Sequence, residues 1–219
     1  MNSDSNYIDI HTHSLKKSET IQVYNQPIEE TFHANLCSVG IHPWHIDIAN
    51  TKQQLEKLET LLESKKALAI GECGLDKLID VPIQLQETIF KEQLRLAEKH
   101  KKTIIIHCVR AFDDLLRIRK EMKLTVPMIV HGFNNNKEIA LQLLKSGCYF
   151  SFGKALLIKD SNASQVISII PSDRLFLETD DADTTIENIY SAASNILNLE
   201  TETLKKIISA NFKNVFLHS

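Results

Sequence analysis

The chain has 219 residues, 43% of them apolar and 24% charged, with a formal net charge of −3. This composition predicts one well-buried domain over residues 1–219, and no stretch approaches the ~20 apolar residues of a membrane span. The charge excludes tight, nonspecific nucleic-acid binding, although not a nuclease that holds a few phosphates locally. No basic segment followed by an apolar run opens the chain and its four cysteines lack CxxC spacing, so we expect a cytoplasmic protein with core cysteines.

The first 66 residues have an irregular pattern of elements. Strands are predicted at 7–10, 20–24 and 36–41, and a helix at 51–64. The two connections between these strands are too short for the usual crossover helix, because a βαβ crossover needs about 10 to 12 residues or more.

Strands and helices alternate regularly from residue 67 onward. Strands are predicted at 67–71, 103–107, 127–131, 148–152 and 174–178. Helices are predicted at 83–100, 111–122, 137–146, 186–197 and 203–216. Eight strands in this rhythm predict an α/β fold, a TIM-type (β/α) barrel that is distorted or reduced in its N-terminal quarter.

Side chains that can bind a metal ion stand where the predicted strands end, on the face that carries the active site in such barrels. His11 and His13 point to the same side of the first strand, because side chains in a strand repeat direction every two residues. The full set is His11, His13, Glu72, His107, His131 and Asp180. Each alone is more often structural, but together these groups would be costly to bury unless they were paired or bound to metal.

Six nitrogen and oxygen donors are too many for one tetrahedral ion and suit two ions bridged by a carboxylate. Such a centre favours hydrolysis, since one ion acidifies a water and the other stabilises developing negative charge. Mixed imidazole and carboxylate donors accept Zn²⁺ or Mn²⁺, and Mg²⁺ less readily, which leaves the identity of the metal open.

Short motifs along nearly the whole chain make it resemble the TatD-like metal-dependent hydrolases of the amidohydrolase superfamily. The motifs lie at 8–13 (IDIHTH), 40–45 (GIHPWH), 71–76 (GECGLD), 106–110 (IHCVR), 131–133 (HGF), 178–180 (ETD) and 211–216 (NFKNVF). The resemblance implies a metal-dependent deoxyribonuclease or phosphodiesterase. Because no long apolar stretch is present we expect no membrane association, and we also expect a monomer without an obligate protein partner.

The resemblance also implies roles for single residues. His11, His13 and Asp180 would hold one metal, His107 and His131 the other, and Glu72 would bridge both. Asp180 would also act as the base that orients or deprotonates the attacking water.

Two further residues are candidates for substrate binding. By the same resemblance, His42 would contact the scissile phosphate. Arg110, three residues beyond His107, would pair with phosphate through its planar guanidinium. Trp44 is predicted to be a packed residue at the rim, with base stacking as the alternative.

The chain also departs from the family pattern. Only residues 14–39 separate the first two motifs, which predicts a shortened or rebuilt substrate groove. Asp181 and Asp183 replace the usual Ala-Pro context and add negative charge that would repel a polyanion. Two alternatives therefore stay open: a lactonase or amidase type of hydrolase for a small molecule, and a noncatalytic metal-holding scaffold.

Overall fold

The structure is a computed structural model, which describes residues 6–16 and 19–217. Contacts divide the chain into two compact units. The first unit comprises Met1–Tyr24 and Val130–Ser219, and the second comprises Asn25–Ile129. The single domain over residues 1–219 stays a prediction.

Eight strands and seven α-helices follow one another along the described residues. The strands are β1 (Ile8–Thr12), β2 (Ile21–Gln26), β3 (Cys37–Val39), β4 (Ala67–Asp76), β5 (Thr103–Val109), β6 (Met128–Val130), β7 (Tyr149–Phe152) and β8 (Leu175–Leu177). The helices are α1 (Thr51–Leu62), α2 (Ile83–His100), α3 (Phe112–Met122), α4 (Lys137–Lys145), α5 (Asn162–Val166), α6 (Ile186–Leu197) and α7 (Thr201–Phe216). Within the described ranges, every helix is too short or too polar to cross a membrane.

The first unit pairs its strands in parallel. Ile8 of β1 lies opposite Ile21 of β2, and Phe150 of β7 lies opposite Leu175 of β8. A parallel bridge joins Thr12 at the end of β1 to Asp180 beyond β8. This bridge brings the ends of two strands that are far apart in the sequence to one place.

The second unit places β4 between β3 and β5, again with parallel pairing. Helix α2 follows β4 and buries Phe90, Leu94 and Ala97, the apolar positions that its helical spacing indicated. The side chains of β4 are almost entirely buried, so the polar residues in this strand lie within the unit rather than on its outer surface.

The structure departs from the sequence-based expectations in several places. Strand β5 ends at Val109, two residues beyond its predicted end, so His107 lies inside the strand rather than at its end. Strand β4 continues to Asp76, five residues beyond the predicted end, so Glu72 lies inside the strand rather than after it. The short helix α5 was not predicted. Cys108 is partly exposed, whereas the other three cysteines are buried as expected.

The two connections between β1, β2 and β3 lack a crossover helix in their described residues, as expected. No α-helix lies among the described residues of 13–20 or of 27–36. Residues 17 and 18, within the shortened segment, lie outside the described part of the chain.

Candidate metal-binding site

The ends of β1 and β8 bring together His11, His13 and Asp180, which we call the first donor group. The Oδ1 atom of Asp180 lies 3.6 Å from His11 Nε2 and 3.5 Å from His13 Nε2. The backbone fixes this arrangement, because the Asp180 N–H donates to the His11 carbonyl and the His13 N–H donates to the Asp180 carbonyl. One ligand atom from each residue lies within 4.8 Å of the others, close enough to share an ion.

His131 belongs to the same unit and lies beside the first donor group. Its ring centroid is 4.6 Å from that of His11. Its Nδ1 atom lies 3.3 Å from Oε1 of Glu178, a fully buried carboxylate that also accepts a hydrogen bond from the Gly132 N–H at 2.6 Å. A carboxylate bonded to one ring nitrogen fixes the orientation of the imidazole, as is common for histidines that bind metal ions.

Asp9, on β1, anchors the segment that carries Asp180. Its carboxylate accepts hydrogen bonds from the backbone N–H of Thr179 at 3.0 Å and from the Thr179 hydroxyl at 2.6 Å. Burial raises the pKa of Asp9 to about 7, although the hydrogen bonds from Thr179 oppose that shift. The Asp9–Thr179 pair therefore fixes the residue next to a candidate ligand from inside the core.

The second unit assembles His42, Glu72 and His107, which we call the second donor group. Glu72 Oε1 lies 3.2 Å from His42 Nε2 and 2.7 Å from His107 Nδ1, and one ligand atom from each residue lies within 4.8 Å of the others. Burial lowers the pKa of His42, although Glu72 opposes that shift, so the neutral imidazole is favoured. The structure thus places His42, predicted as a substrate contact, among residues that can hold a metal.

Asp76, at the end of β4, connects the second donor group to Trp44. Its Oδ2 atom accepts a hydrogen bond from the indole Nε1 of Trp44 at 2.7 Å and lies 3.4 Å from His107 Nε2. Burial acts to raise the pKa of Asp76, but hydrogen bonds from Trp44 and from the Leu78 backbone outweigh it and lower that pKa. The prediction that Trp44 is a packed residue is wrong, because 61% of its surface is exposed. The hydrogen bond to Asp76 fixes the position of the indole ring although the ring is not buried.

Two charged residues lie near the donor groups in the sequence: Arg110, which follows β5, and Asp181, which follows Asp180. Arg110 is exposed, directly follows β5, has a positive φ of 52° and belongs to neither donor group. Asp181, whose charge was expected to repel a polyanion, pairs with Lys154 at 2.6 Å. Part of the added negative charge beside Asp180 is therefore offset by a cation of this chain.

The chemistry of both donor groups fits a divalent cation. Each combines imidazole nitrogens with a carboxylate, a mixture suited to first-row divalent ions. His11 is fully buried and Glu72 is 5% exposed. Buried ionisable groups are costly unless they are paired or coordinate a metal, so this close set of buried donors fits a metal centre. Mixed imidazole and carboxylate donors of this kind are what metal-dependent hydrolases use to hold the ion that activates water.

The chain belongs to the TatD related DNase family, whose model matches residues 8–217. It is 36% identical over 147 residues to YabD, an uncharacterized metal-dependent hydrolase of Bacillus subtilis, covering 65% of this chain and 57% of that protein. It is 31% identical over 161 residues to a protein of Pantoea ananatis named 3′-5′ ssDNA/RNA exonuclease TatD, covering 68% and 59%. The chain thus spans less than two thirds of the length of either relative.

Solved structures show the fold. YjjV, a TatD homolog from Escherichia coli K12, matches with a TM-score of 0.81 and 21% identity, covering 99% of this chain and all of that one. A TatD family hydrolase from Entamoeba histolytica matches with a TM-score of 0.72 and 20% identity, covering 84% and 75%. The predicted TIM-type (β/α) barrel is confirmed.

Three carboxylates that support the site were not assigned a role from the sequence, namely Asp9, Asp76 and Glu178. Each lies inside one of the family motifs, at 8–13, 71–76 and 178–180, and each is almost completely buried. The sequence did contain a usable indication, because a carboxylate within or at the end of an apolar strand is costly unless it is bonded to something. Which side chain it would meet depends on contacts between distant parts of the chain.

Replacing Glu178 with glutamine is expected to weaken metal binding by about 10- to 100-fold, as is typical for partners that orient ligating histidines. Glutamine keeps an oxygen that can accept from the Gly132 N–H, but it removes the charge that faces His131 Nδ1. Calorimetric titration of chelator-treated protein with Zn²⁺ or Mn²⁺ measures the change. Glu187→Gln, an exposed change on α6, is the control, and equal affinities in the two variants would contradict the role of Glu178.

Proposed function

We propose that this chain is a metal-dependent phosphodiesterase, most specifically a deoxyribonuclease, that activates water with two divalent ions. The observation that carries the proposal is the pair of donor groups, each of which combines imidazole nitrogens with a carboxylate. Family membership supports it, as does the exonuclease name of the relative from Pantoea ananatis.

The ligand set we propose follows the family resemblance. His11, His13 and Asp180 would hold one ion, His107 and His131 the other, and Glu72 would bridge them, so that residues 1–219 act as one hydrolase domain. Bound Zn²⁺, Mn²⁺ or Mg²⁺ would supply an acidified water and neutralise charge on the phosphate.

The chain's own residues would handle the proton and the substrate. Asp180 would accept a proton from the attacking water at a carboxylate oxygen as the water oxygen bonds to phosphorus. The ester P–O bond breaks, and the leaving alcohol oxygen takes up a proton from solvent water. His42 would orient the phosphate by a hydrogen bond from its imidazole. Arg110, which is exposed, would pair with a phosphate oxygen through its guanidinium.

A substrate panel tests this proposal. The metal-loaded protein is incubated with bis(4-nitrophenyl) phosphate, a short single-stranded DNA, a lactone and an amide, before and after treatment with a chelator. We expect hydrolysis of the two phosphodiesters only, lost on chelation and restored by Zn²⁺, Mn²⁺ or Mg²⁺. Preferred hydrolysis of the lactone or amide would favour the small-molecule alternative. Fewer than one bound ion per chain together with no hydrolysis would favour a noncatalytic scaffold.

A further inference from the structure

Trp44 presents an exposed aromatic ring that is nevertheless held in place. The ring lies in a short 3-10 helix, Pro43–His45, and 61% of the residue's surface is open to solvent. Its Nε1–H donates to Asp76 Oδ2, while the other carboxylate oxygen of Asp76 accepts from the Leu78 N–H at 2.8 Å. The hydrogen bond at the edge of the indole restricts its rotation and therefore fixes the orientation of the ring. The exposed part of the ring is open to a ligand.

The ring also lies next to the second donor group. Its centroid is 5.1 Å from that of His42 and 6.0 Å from that of His107. Leu78, whose backbone is bonded to the same carboxylate, is itself 60% exposed and adds apolar surface. A phosphate held at the second donor group would therefore have an open aromatic surface about one sugar ring away.

We propose that Trp44 is a stacking subsite for an unpaired nucleobase, attached through its sugar to the phosphate that is held at the second donor group. The proposal rests on the proposed phosphodiesterase function and adds to it a residue of this chain that contacts the base. Every base has a π-face, so stacking tolerates any sequence, but bases inside a duplex are covered by their neighbours. The subsite should accordingly favour single strands without reading their sequence.

Trp44 is the only tryptophan in the chain, so its fluorescence reports on this ring alone. The metal-loaded protein is titrated with a thymidine pentamer whose phosphorothioate linkages slow hydrolysis, and with an abasic pentamer of the same charge. We expect saturable quenching by the thymidine pentamer and none by the abasic one. Equal quenching by both pentamers, or binding of the thymidine pentamer without quenching, would overturn the proposal, as would failure of wild type to bind it.

Variants separate stacking from other effects of the side chain. Trp44→Leu should weaken binding of a fluorescein-labelled thymidine pentamer by about 5- to 100-fold and raise KM for single-stranded DNA similarly, while affinity for the abasic pentamer is retained. Trp44→Phe keeps an aromatic face and should lose less affinity than Trp44→Leu. Leu217→Ala, which trims an exposed apolar side chain after α7, is the control. If Trp44→Leu weakened binding of both pentamers equally, the exposed apolar patch would serve another occupant, such as a protein, and the stacking role would be wrong.

The stacking role and the proposed function fail in different ways. Hydrolysis of DNA with no dependence on the base at Trp44 would overturn the stacking role and leave the phosphodiesterase in place. Base-dependent quenching by a protein that hydrolyses no phosphodiester would support the stacking role and overturn the proposed activity.

Discussion

Replacing Glu72 with glutamine is expected to lower phosphodiester hydrolysis by about 10³-fold or more while the protein stays folded, because metal-based stabilisation of charge is worth several kcal/mol. Oε1 of Glu72 lies within 3.2 Å of His42 and 2.7 Å of His107. Glutamine has the same shape and still offers an oxygen to a neighbouring donor. It lacks the negative charge that would hold cations at the second donor group.

The measurement is the rate on bis(4-nitrophenyl) phosphate at saturating Mn²⁺ or Mg²⁺, together with the metal content of the purified variant. Glu56→Gln, an exposed change on α1 in the same unit, is the matched control and should behave as wild type. Circular dichroism and thermal unfolding establish that both variants fold. Full activity of Glu72→Gln with added Mn²⁺ or Mg²⁺ would contradict the bridging role.

The regular part of the fold could be predicted from local sequence patterns. Helices α2 and α6 have the predicted bounds, since their apolar residues recur at helical spacing over many turns. The strand ends also located the candidate ligands, because carboxyl ends of parallel strands collect on one face of a barrel. Local periodicity and topology were therefore enough to indicate both the fold class and most of the donors.

The contacts around the donors could not be predicted in this way. Glu178 belongs to a motif that the sequence analysis identified, but its contact partner His131 lies 47 positions away in the chain. Asp9 and Thr179, which form another of these contacts, are 170 positions apart. Exposure of Trp44 was likewise missed, because a single tryptophan is usually buried and its hydrogen bond to Asp76 depends on tertiary structure. Side-chain pairing across the fold is set by packing that no local pattern encodes.

The length of β4 has a related cause. A strand ending at Gly71 was predicted, and residues 72–76 combine small and charged side chains that have poor strand propensity. In the structure β4 continues to Asp76, with Gly74 opposite His107 of β5. A methyl group on Gly74 would lie 1.9 Å from the His107 carbonyl oxygen. Glycine at position 74 is what allows the neighbouring strand to approach this closely.

Replacing Gly74 with alanine is accordingly expected to destabilise the protein by about 3–5 kcal/mol, since a strained backbone and an overpacked contact each cost about 1–3 kcal/mol. The φ angle of +149° disfavours any side chain, and the new methyl group would push against backbone rather than a movable side chain. Relief of the clash requires β5 to shift at His107, a member of the second donor group. Metal affinity should fall together with the free energy of unfolding, which urea denaturation measures.

The Gly132→Ala variant distinguishes the cost of the steric clash at Gly74 from the cost of a positive φ angle. Gly132 also has a positive φ, of +54°, but a methyl group there would come no closer than 3.7 Å to Glu178 Oε1. That variant should lose only the ~1–2 kcal/mol of a left-handed residue. If the two variants were equally stable, close approach of the His107 backbone would not be the reason for glycine at position 74. A markedly less stable Gly74→Ala protein with weakened metal binding would instead establish that the second donor group depends on the tight pairing of β4 and β5.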